Sequence, residues 1–358
     1  MAPSSSGRSA GAAAVLAICF TSLVVAATAA LPHPAGDGDS SRVVARQAGA
    51  GAALPSAGTQ HAAPATFVRG TAATAGGASI NVSASFPDAA DRARRWAEFF
   101  SVLPHGDELD RVTINVVTAA ELPDACRAEA LGCYRPGLLS FADEVVDGVT
   151  AEEVARHEYG HHVAANRLNS PWAAIDWGPK RWATAAGICA DVKDGTAFPG
   201  DEGDHYAENS GEAWAEVYRI LAERTAGLPG NLWSIVVGRY YPDDAALAAA
   251  REDVLHPWTG PATRRYSGQF VKGGTRVWQR PLATALDGSI TVRLSYPAGP
   301  RHDVALLTAD GRTVIARWTG FTSRTRTIST SICGRRSVLL RVTRGTAPGP
   351  FAVAVTAP

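Results

Sequence analysis

The chain has 358 residues, 46% of them hydrophobic and 19% charged, so it can fill one large or two medium cores and is not a disordered solvating protein. Lysine plus arginine and aspartate plus glutamate number 34 each, which excludes a global field drawing the chain to nucleic acid or another polyanion.

At the N-terminus Arg8 precedes a mostly apolar run over 11–30 that contains Ala27-Thr28-Ala29, the small-x-small pattern that signal peptidase cuts. Residues 1–30 are expected to be a signal peptide of a secreted, extracellular protein that has no membrane contact after cleavage. A retained anchor is the alternative, because about 20 residues suffice to span a bilayer. Residues 31–65 are rich in Ala, Gly, Pro and Ser, cannot bury enough surface to offset the entropy of ordering, and are expected to be a disordered linker or propeptide.

Export permits disulfides. Cys19 lies in the signal, leaving Cys126, Cys133, Cys189 and Cys333. Cys126 and Cys133 enclose the short loop CRAEALGC and are expected to pair. Cys189 with Cys333 follows only by elimination, against two buried thiols.

Within 66–262 the signals are mixed. The stretch 88–103 spaces Ala93, Trp96, Phe100 and Leu103 as a helix does; 111–117 alternates like a strand; 137–146, GLLSFADEVV, is a second strand candidate. Thr150 followed by Glu153 makes a capping box, so a helix is expected to start at Ala151. Another is expected from Gly211 to about Arg224, with Ser210 as its cap.

The helix beginning at Ala151 carries H-E-Y-G-H, residues 157 to 161. Side chains four apart project from one face with Cβ atoms roughly 6 Å apart, so His157 and His161 can hold one metal ion between them. Glu158 sits one residue round, placed to take a proton from water activated by zinc without ligating the ion. His162 faces away from the pair and is expected to be structural.

A catalytic zinc needs a third protein ligand and an open position. A metzincin-type histidine is excluded, since positions 164 and 167 are Ala164 and Arg167 rather than the Gly and the His or Asp required. The second helix offers Glu212 and Glu216, four apart, with Glu208 before it as a solvated residue. Glu212 is taken as the ligand and Glu216 as the hydrogen-bond partner of a ligating histidine, the reverse being possible; a plain charged helix face is the competing explanation, because Arg219 and Glu223 lie nearby.

H-E-Y-G-H followed by G-E-A-W-A-E resembles the gluzincin metallopeptidases, over roughly 138 to 224. The resemblance implies an α+β, zincin-like metallopeptidase domain with zinc on His157, His161 and Glu212 and Glu158 polarising the water. It also implies a Tyr or His donor for the developing oxyanion, for which Tyr206 and His205 are the candidates. By the same resemblance, strand 137–146 would be the edge that pairs with an extended substrate. The intervening Asp191, Asp194, Asp201, Glu202 and Asp204 suggest a Ca2+ loop, but their spacing fits no EF-hand, and a solvated acidic loop is the favoured reading.

From 263 to 358 short alternating runs separated by turns, among them Asp287-Gly288 and Asp310-Gly311, predict an all-β sandwich. It loosely resembles the β-sandwich appendages of secreted bacterial peptidases. The expectation is therefore a secreted zinc endopeptidase acting on a protein or peptide substrate. A non-catalytic binding protein with a vestigial metal site, or a zinc hydrolase of a non-peptide amide, are the alternatives; oligomeric state has no signature in the sequence.

Overall fold

The computed structural model describes residues 45–47, 67–71, 77–126, 130–146, 148–318 and 324–358. The expected signal peptide lies outside these residues, as does most of 31–65. Among the described residues no helix is long and apolar enough to cross a membrane.

A six-stranded sheet runs in the order β1 (Ala45–Gln47), β5 (Gly132–Arg135), β6 (Leu138–Ala142), β4 (Thr113–Val117), β3 (Ser79–Ser83), β2 (Phe67–Thr71). Strands β3, β4 and β6 are parallel, β5 is antiparallel to β6, and β1 runs parallel to β5. The middle strands are buried along almost their whole length, which is why they read as apolar runs without strict alternation. One expectation needs correcting. Strand β6 is hydrogen-bonded on both sides, by β5 and β4, so 138–142 is no edge and has no free backbone for a substrate. Within 31–65 the described residues Ala45–Gln47 pair with β5.

Helix α1 (Ala89–Ser101) lays Ala93, Trp96 and Phe100 into the first core. Asp143, just past β6, accepts from Trp96 Nε1 at 3.0 Å and pairs with Arg95 at 2.7 Å, fixing the end of the strand to that helix. A short helix α2 (Leu122–Ala125) leads to Cys126, which is bonded to Cys133 in β5.

Helices α3 (Ala151–Ala165) and α7 (Ser210–Thr225) cross at the centre of the first core. Helix α3 begins with the expected capping box: Glu153 N donates to Thr150 Oγ1 at 3.2 Å, and Thr150 N donates to Glu153 Oε2 at 2.9 Å. In α7 the cap is Asn209, not Ser210, because Asn209 Oδ1 accepts from Gly211 N at 2.9 Å; Ser210 Oγ turns instead to Asp176 O at 2.7 Å. Both helices are buried almost all round, so neither has the one-sided apolar stripe of a surface helix. Between them lie α4 (Ala174–Trp177), α5 (Lys180–Ala185) and α6 (Ile188–Lys193), and α8 (Asp244–Leu255) follows.

The C-terminal strands form two four-stranded sheets with their own core, from Phe270 to Val355. One has the order β11 (Val314–Arg317), β10 (Asp303–Thr308), β13 (Arg336–Thr343), β8 (Val277–Thr284). The other is β12 (Thr325–Ile332), β9 (Gly288–Ser295), β14 (Gly349–Ala357), β7 (Ala262–Phe270). Asp310-Gly311 joins paired strands β10 and β11, whereas Asp287-Gly288 carries the chain from one sheet to the other and is not a hairpin. Strands β7, β8 and β12 have no clear sequence signature, because β7 and β8 are largely exposed and β12 is mostly Thr and Ser.

The two cores belong to one compact unit. Cys189 in α6 is bonded to Cys333 after β12. Beside it the buried Lys180 Nζ donates to Ser170 O at 2.8 Å and Asp287 O at 3.1 Å, and lies over the rings of Trp258 and Trp172 at 4.7 and 5.3 Å. Burial depresses the Lys180 ammonium to about 8 from its ordinary 10.5, although Asp287 and Asp253 pull it upward. Between those values the unfolded chain binds the extra proton, so this lysine's contribution to stability improves as pH rises from about 8 toward 10.5 and is flat below. Denaturation of the wild type and Lys180→Met at successive pH values is expected to show the wild type gaining on the variant across that window, by up to about 3 kcal/mol. A constant difference would remove the assignment.

Candidate metal centre

Helix α3 aims His157 and His161 at the first turn of α7, where Glu212 sits near the positive end of the helix dipole. His157 Nε2 is 3.2 Å from Glu212 Oε2, and His161 Nε2 is 3.4 Å from Glu212 Oε1. Ligand atoms of the three residues all lie within 4.8 Å of one another, and all three side chains are fully buried. Among the described residues this is the one His/Cys/Asp/Glu group so arranged.

Gly160 permits this convergence. A Cβ there would stand 2.9 Å from Ala215 Cα, 3.0 Å from Tyr218 Cβ and 3.1 Å from Ala215 O, none of which is the movable end of a side chain. The two helix backbones therefore touch at Gly160 and Ala215, and Trp214 Nε1 donates to Gly160 O at 2.8 Å across the contact. The packing role of the fourth residue of H-E-Y-G-H was not evident from sequence, where it counts as an unspecified position. Gly160→Ala is expected to cost about 1–3 kcal/mol. It should also weaken zinc binding about tenfold or more, measured by competition with a chelating dye.

The electrostatics suit a cation. Burial alone would depress His157, yet its contact with Glu212 and the nearby Glu216 carboxylate lift it well above the ordinary histidine value. Burial alone would raise Glu212, yet His161 and His157 hold it well below the carboxylate range. His161 is depressed by burial. His161 Nε2 and Glu212 Oε1 nevertheless have no hydrogen-bond partner among the described residues, nor has either oxygen of Glu158. Orphaned buried atoms of this kind are costly and call for a ligand. Two imidazoles and a carboxylate match the donor set that holds zinc with a position left open, so the residues present fit that ion.

Glu158 is fully buried beside the cluster. Burial pushes it well above the usual carboxylate range; Glu212 and Glu202 add to the rise while His157 opposes it. Strand β5 runs directly past it: a Cβ on Gly132 would lie 3.0 Å from Glu158 Oε1 and 2.6 Å from Val154 Cγ1.

Glu216 Oε2 lies 3.9 Å from His157 Nδ1, nearby but too far for the expected hydrogen bond, and that nitrogen has no hydrogen-bond partner among the described residues. It is gripped mainly by the buried Arg219, whose Nε and Nη2 donate at 2.8 and 2.7 Å, and Arg219 Nη1 also donates to Glu223 at 2.7 Å. The charged-face explanation of α7 is thereby displaced, since Glu212, Glu216, Arg219 and Glu223 are all buried. The sequence did not point to Trp233, whose ring stacks 5.7 Å from His157 and lies 4.3 Å from the Arg219 guanidinium. Its backbone N donates to Glu216 Oε1 at 3.2 Å.

Of the two proposed oxyanion donors the structure brings in Tyr206, whose hydroxyl donates to Glu212 Oε2 at 2.6 Å. Burial and the neighbouring carboxylates Glu212, Glu202 and Glu158 keep it protonated and a donor. His205 is a correction: it is exposed, with its ring stacked 3.8 Å from Phe198. The tight turn at Tyr206–Glu208 sends successive side chains in different directions, so only one of the pair faces the cluster. The acidic residues of the intervening loop do not gather into one set. Asp191 pairs with Arg239 at 3.0 Å, Asp201 accepts from Gly203 N at 2.7 Å, Glu202 accepts from Asn209 Nδ2 at 3.1 Å, and Asp204 is exposed. His162 points the other way, to Glu108 O at 2.8 Å and Tyr134 OH at 3.3 Å.

No protein-family model and no curated protein matches the chain. Among solved structures it is weakly similar to the pre-peptidase C-terminal domain of a collagenase from Bacillus anthracis. The TM-score is 0.24 with 13% identity, over 26% of this chain and 88% of that one. It is similarly weakly related to PliG, a periplasmic lysozyme inhibitor of g-type lysozyme from Aeromonas hydrophila, with TM-score 0.20 and 12% identity over 28% and 87% of the two chains. A third likeness is to the SPBc2 prophage-derived protein YomS, with TM-score 0.19 and 14% identity over 27% and 96%. Each likeness concerns about a quarter of the chain.

Proposed function

We propose that this chain is an exported zinc-dependent endopeptidase of gluzincin type, with a zincin-like domain over 66–262. The observation that carries the proposal is the meeting of His157, His161 and Glu212 around orphaned donor atoms, with the unpaired Glu158 carboxylate beside them. His157, His161 and Glu212 would hold a zinc ion, which would supply Lewis acidity to acidify water and polarise a carbonyl oxygen. Glu158 then accepts the water's proton on a carboxylate oxygen and passes it to the departing amine. Tyr206, a protonated donor beside Glu212, is placed to stabilise charge developing on the carbonyl oxygen. Glu216, clamped by Arg219 and 3.9 Å from His157 Nδ1, supplies a fixed negative charge that favours one orientation of that imidazole. Two disulfides accord with an oxidising compartment.

Purified protein should carry close to one zinc per chain and cleave denatured casein. A chelator should abolish cleavage and added zinc restore it. Stoichiometric zinc with no cleavage across a proteome-derived peptide mixture would favour a hydrolase of non-peptide amides or a binding protein. Chelator-resistant cleavage would overturn the reading.

A further inference from the structure

A ligating histidine ordinarily donates its second ring N–H to a carboxylate, a carbonyl or a water, and that bond fixes the plane in which the other nitrogen meets the metal. Here Nε2 of both His157 and His161 turns toward Glu212, at 3.2 and 3.4 Å. Their Nδ1 atoms are buried and have no hydrogen-bond partner among the described residues. What each imidazole does have is an aromatic ring lying nearly parallel to it. Trp233 faces His157, with centroids 5.7 Å and planes 28° apart, and Tyr134 faces His161, at 6.5 Å and 17°. Both spacings fall in the range of offset stacking.

Each aromatic ring is itself held in place. Side chains two apart on a strand share a face, so Tyr134 follows Gly132 on the side of β5 that meets α3, and it reaches His161 as Gly132 reaches Glu158 about one turn earlier. The Tyr134 hydroxyl accepts from Gly137 N at 3.2 Å. A carbonyl only accepts, so in the neutral ring of His162 Nε2–H donates to Glu108 O at 2.8 Å, leaving Nδ1 to accept from that same hydroxyl at 3.3 Å. His162, which faces away from the metal ligands, thus fastens Tyr134 against its neighbour His161. Trp233 is fixed through its backbone: its N donates to Glu216 Oε1 at 3.2 Å and its carbonyl accepts from the Tyr241 hydroxyl.

We infer that aromatic faces replace hydrogen bonds in setting the planes of the two ligating imidazoles: Trp233 positions His157, and Tyr134, held by His162, positions His161. Stacking defines a plane but does not tell the two flips of an imidazole apart, so aiming Nε2 inward falls to Glu212 and to the bound ion. Both aromatic residues act through a histidine and are positioning residues. Their roles rest on the metal centre proposed above and not on a peptide as substrate.

The test compares Trp233→Phe with Trp233→Leu, and Tyr134→Phe with Tyr134→Leu, in the full chain. Leucine removes the ring and keeps the position apolar; phenylalanine keeps a ring face. Zinc affinity is measured by competition with a chelating dye, and the visible absorption of the cobalt-substituted protein reports the geometry of the site. Both leucine variants are expected to bind zinc about tenfold or more weakly and to shift the cobalt bands, whereas both phenylalanine variants stay within about threefold of wild type with unshifted bands. Leucine variants that match wild type in affinity and spectrum overturn the inference. Phenylalanine variants that lose as much as the leucines also overturn it, because a hydroxyl or indole N–H and not a ring face would then be what matters. Trp233 is only half-buried, so substitution there spares the core, and its pair of variants decides if Tyr134→Leu does not fold. Wild type that binds neither zinc nor cobalt removes the metal centre and the ring roles with it. Binding weakened only in the leucine variants, with no hydrolysis by any form, upholds the ring roles and removes the peptidase reading.

Discussion

Glu158→Gln is expected to lower kcat by about 10²–10⁴-fold while zinc content and substrate KM stay near wild type. The glutamine keeps the shape of the side chain but cannot accept and return a proton. Metal content should hold because Glu158 is not among the three residues whose ligand atoms converge. A second readout separates this from a folding defect. The wild-type carboxylate is buried, without a hydrogen-bond partner among the described residues, and pushed well above the carboxylate range by that burial. A neutral amide relieves the cost of burying a charge, so the metal-free variant should unfold at the same temperature as metal-free wild type or higher. Loss of zinc in the variant would mean that Glu158 ligates; retained activity would remove it from proton transfer.

Arg219→Met should have the largest effect on stability, a loss of about 3–5 kcal/mol. Arg219 is fully buried and holds Glu216 through two hydrogen bonds and Glu223 through one. Removing the guanidinium leaves Glu223 with Arg156 at 4.0 Å and Glu216 with the Trp233 N–H at 3.2 Å and His157 at 3.9 Å, without the charge-assisted hydrogen bonds that offset their burial. Burial already raises Glu223 despite Arg219, whereas the guanidinium and His157 keep Glu216 low against the same burial. The variant should therefore take up protons on folding, and its deficit should shrink as the pH falls and these acids neutralise. Urea unfolding at pH 7 and pH 5 tests this. Adding Glu216→Gln to Arg219→Met should recover part of the loss, because the exposed penalty is an uncompensated charge and not a cavity. If zinc affinity survives Arg219→Met unchanged, the link from Arg219 through Glu216 to His157 does not matter to the site.

The likeness of the C-terminal β-rich region to a pre-peptidase domain is weak, and the metal centre stands on its own geometry. In this chain the sandwich is also bound to the first core by Cys189–Cys333 and by the buried Lys180 at Asp287. A cut in the stretch before β7 would leave the two parts joined covalently.

Local features of the sequence determined the start of α3, the shared face of His157 and His161 and the short Cys126–Cys133 bridge, because a capping box, a four-residue helical spacing and a small loop depend on neighbours along the chain. The alternating runs that became β9, β10, β13 and β14 were legible for the same reason, since a half-buried strand repeats every second residue. Only the tertiary structure decided that Glu212 rather than Glu216 meets both imidazoles, since that depends on how closely α3 and α7 cross at Gly160. It likewise decided that Tyr206 turns inward and His205 outward, that Arg219 neutralises a buried acidic helix face, and that β6 lies inside the sheet between β5 and β4. The meeting of α3 with α7 joins residues 55 positions apart, and even the short-range contacts of Tyr206 and Arg219 matter because tertiary packing buries them. Periodicity and composition are silent about such contacts, because they describe which side of an element is buried and not what it is buried against.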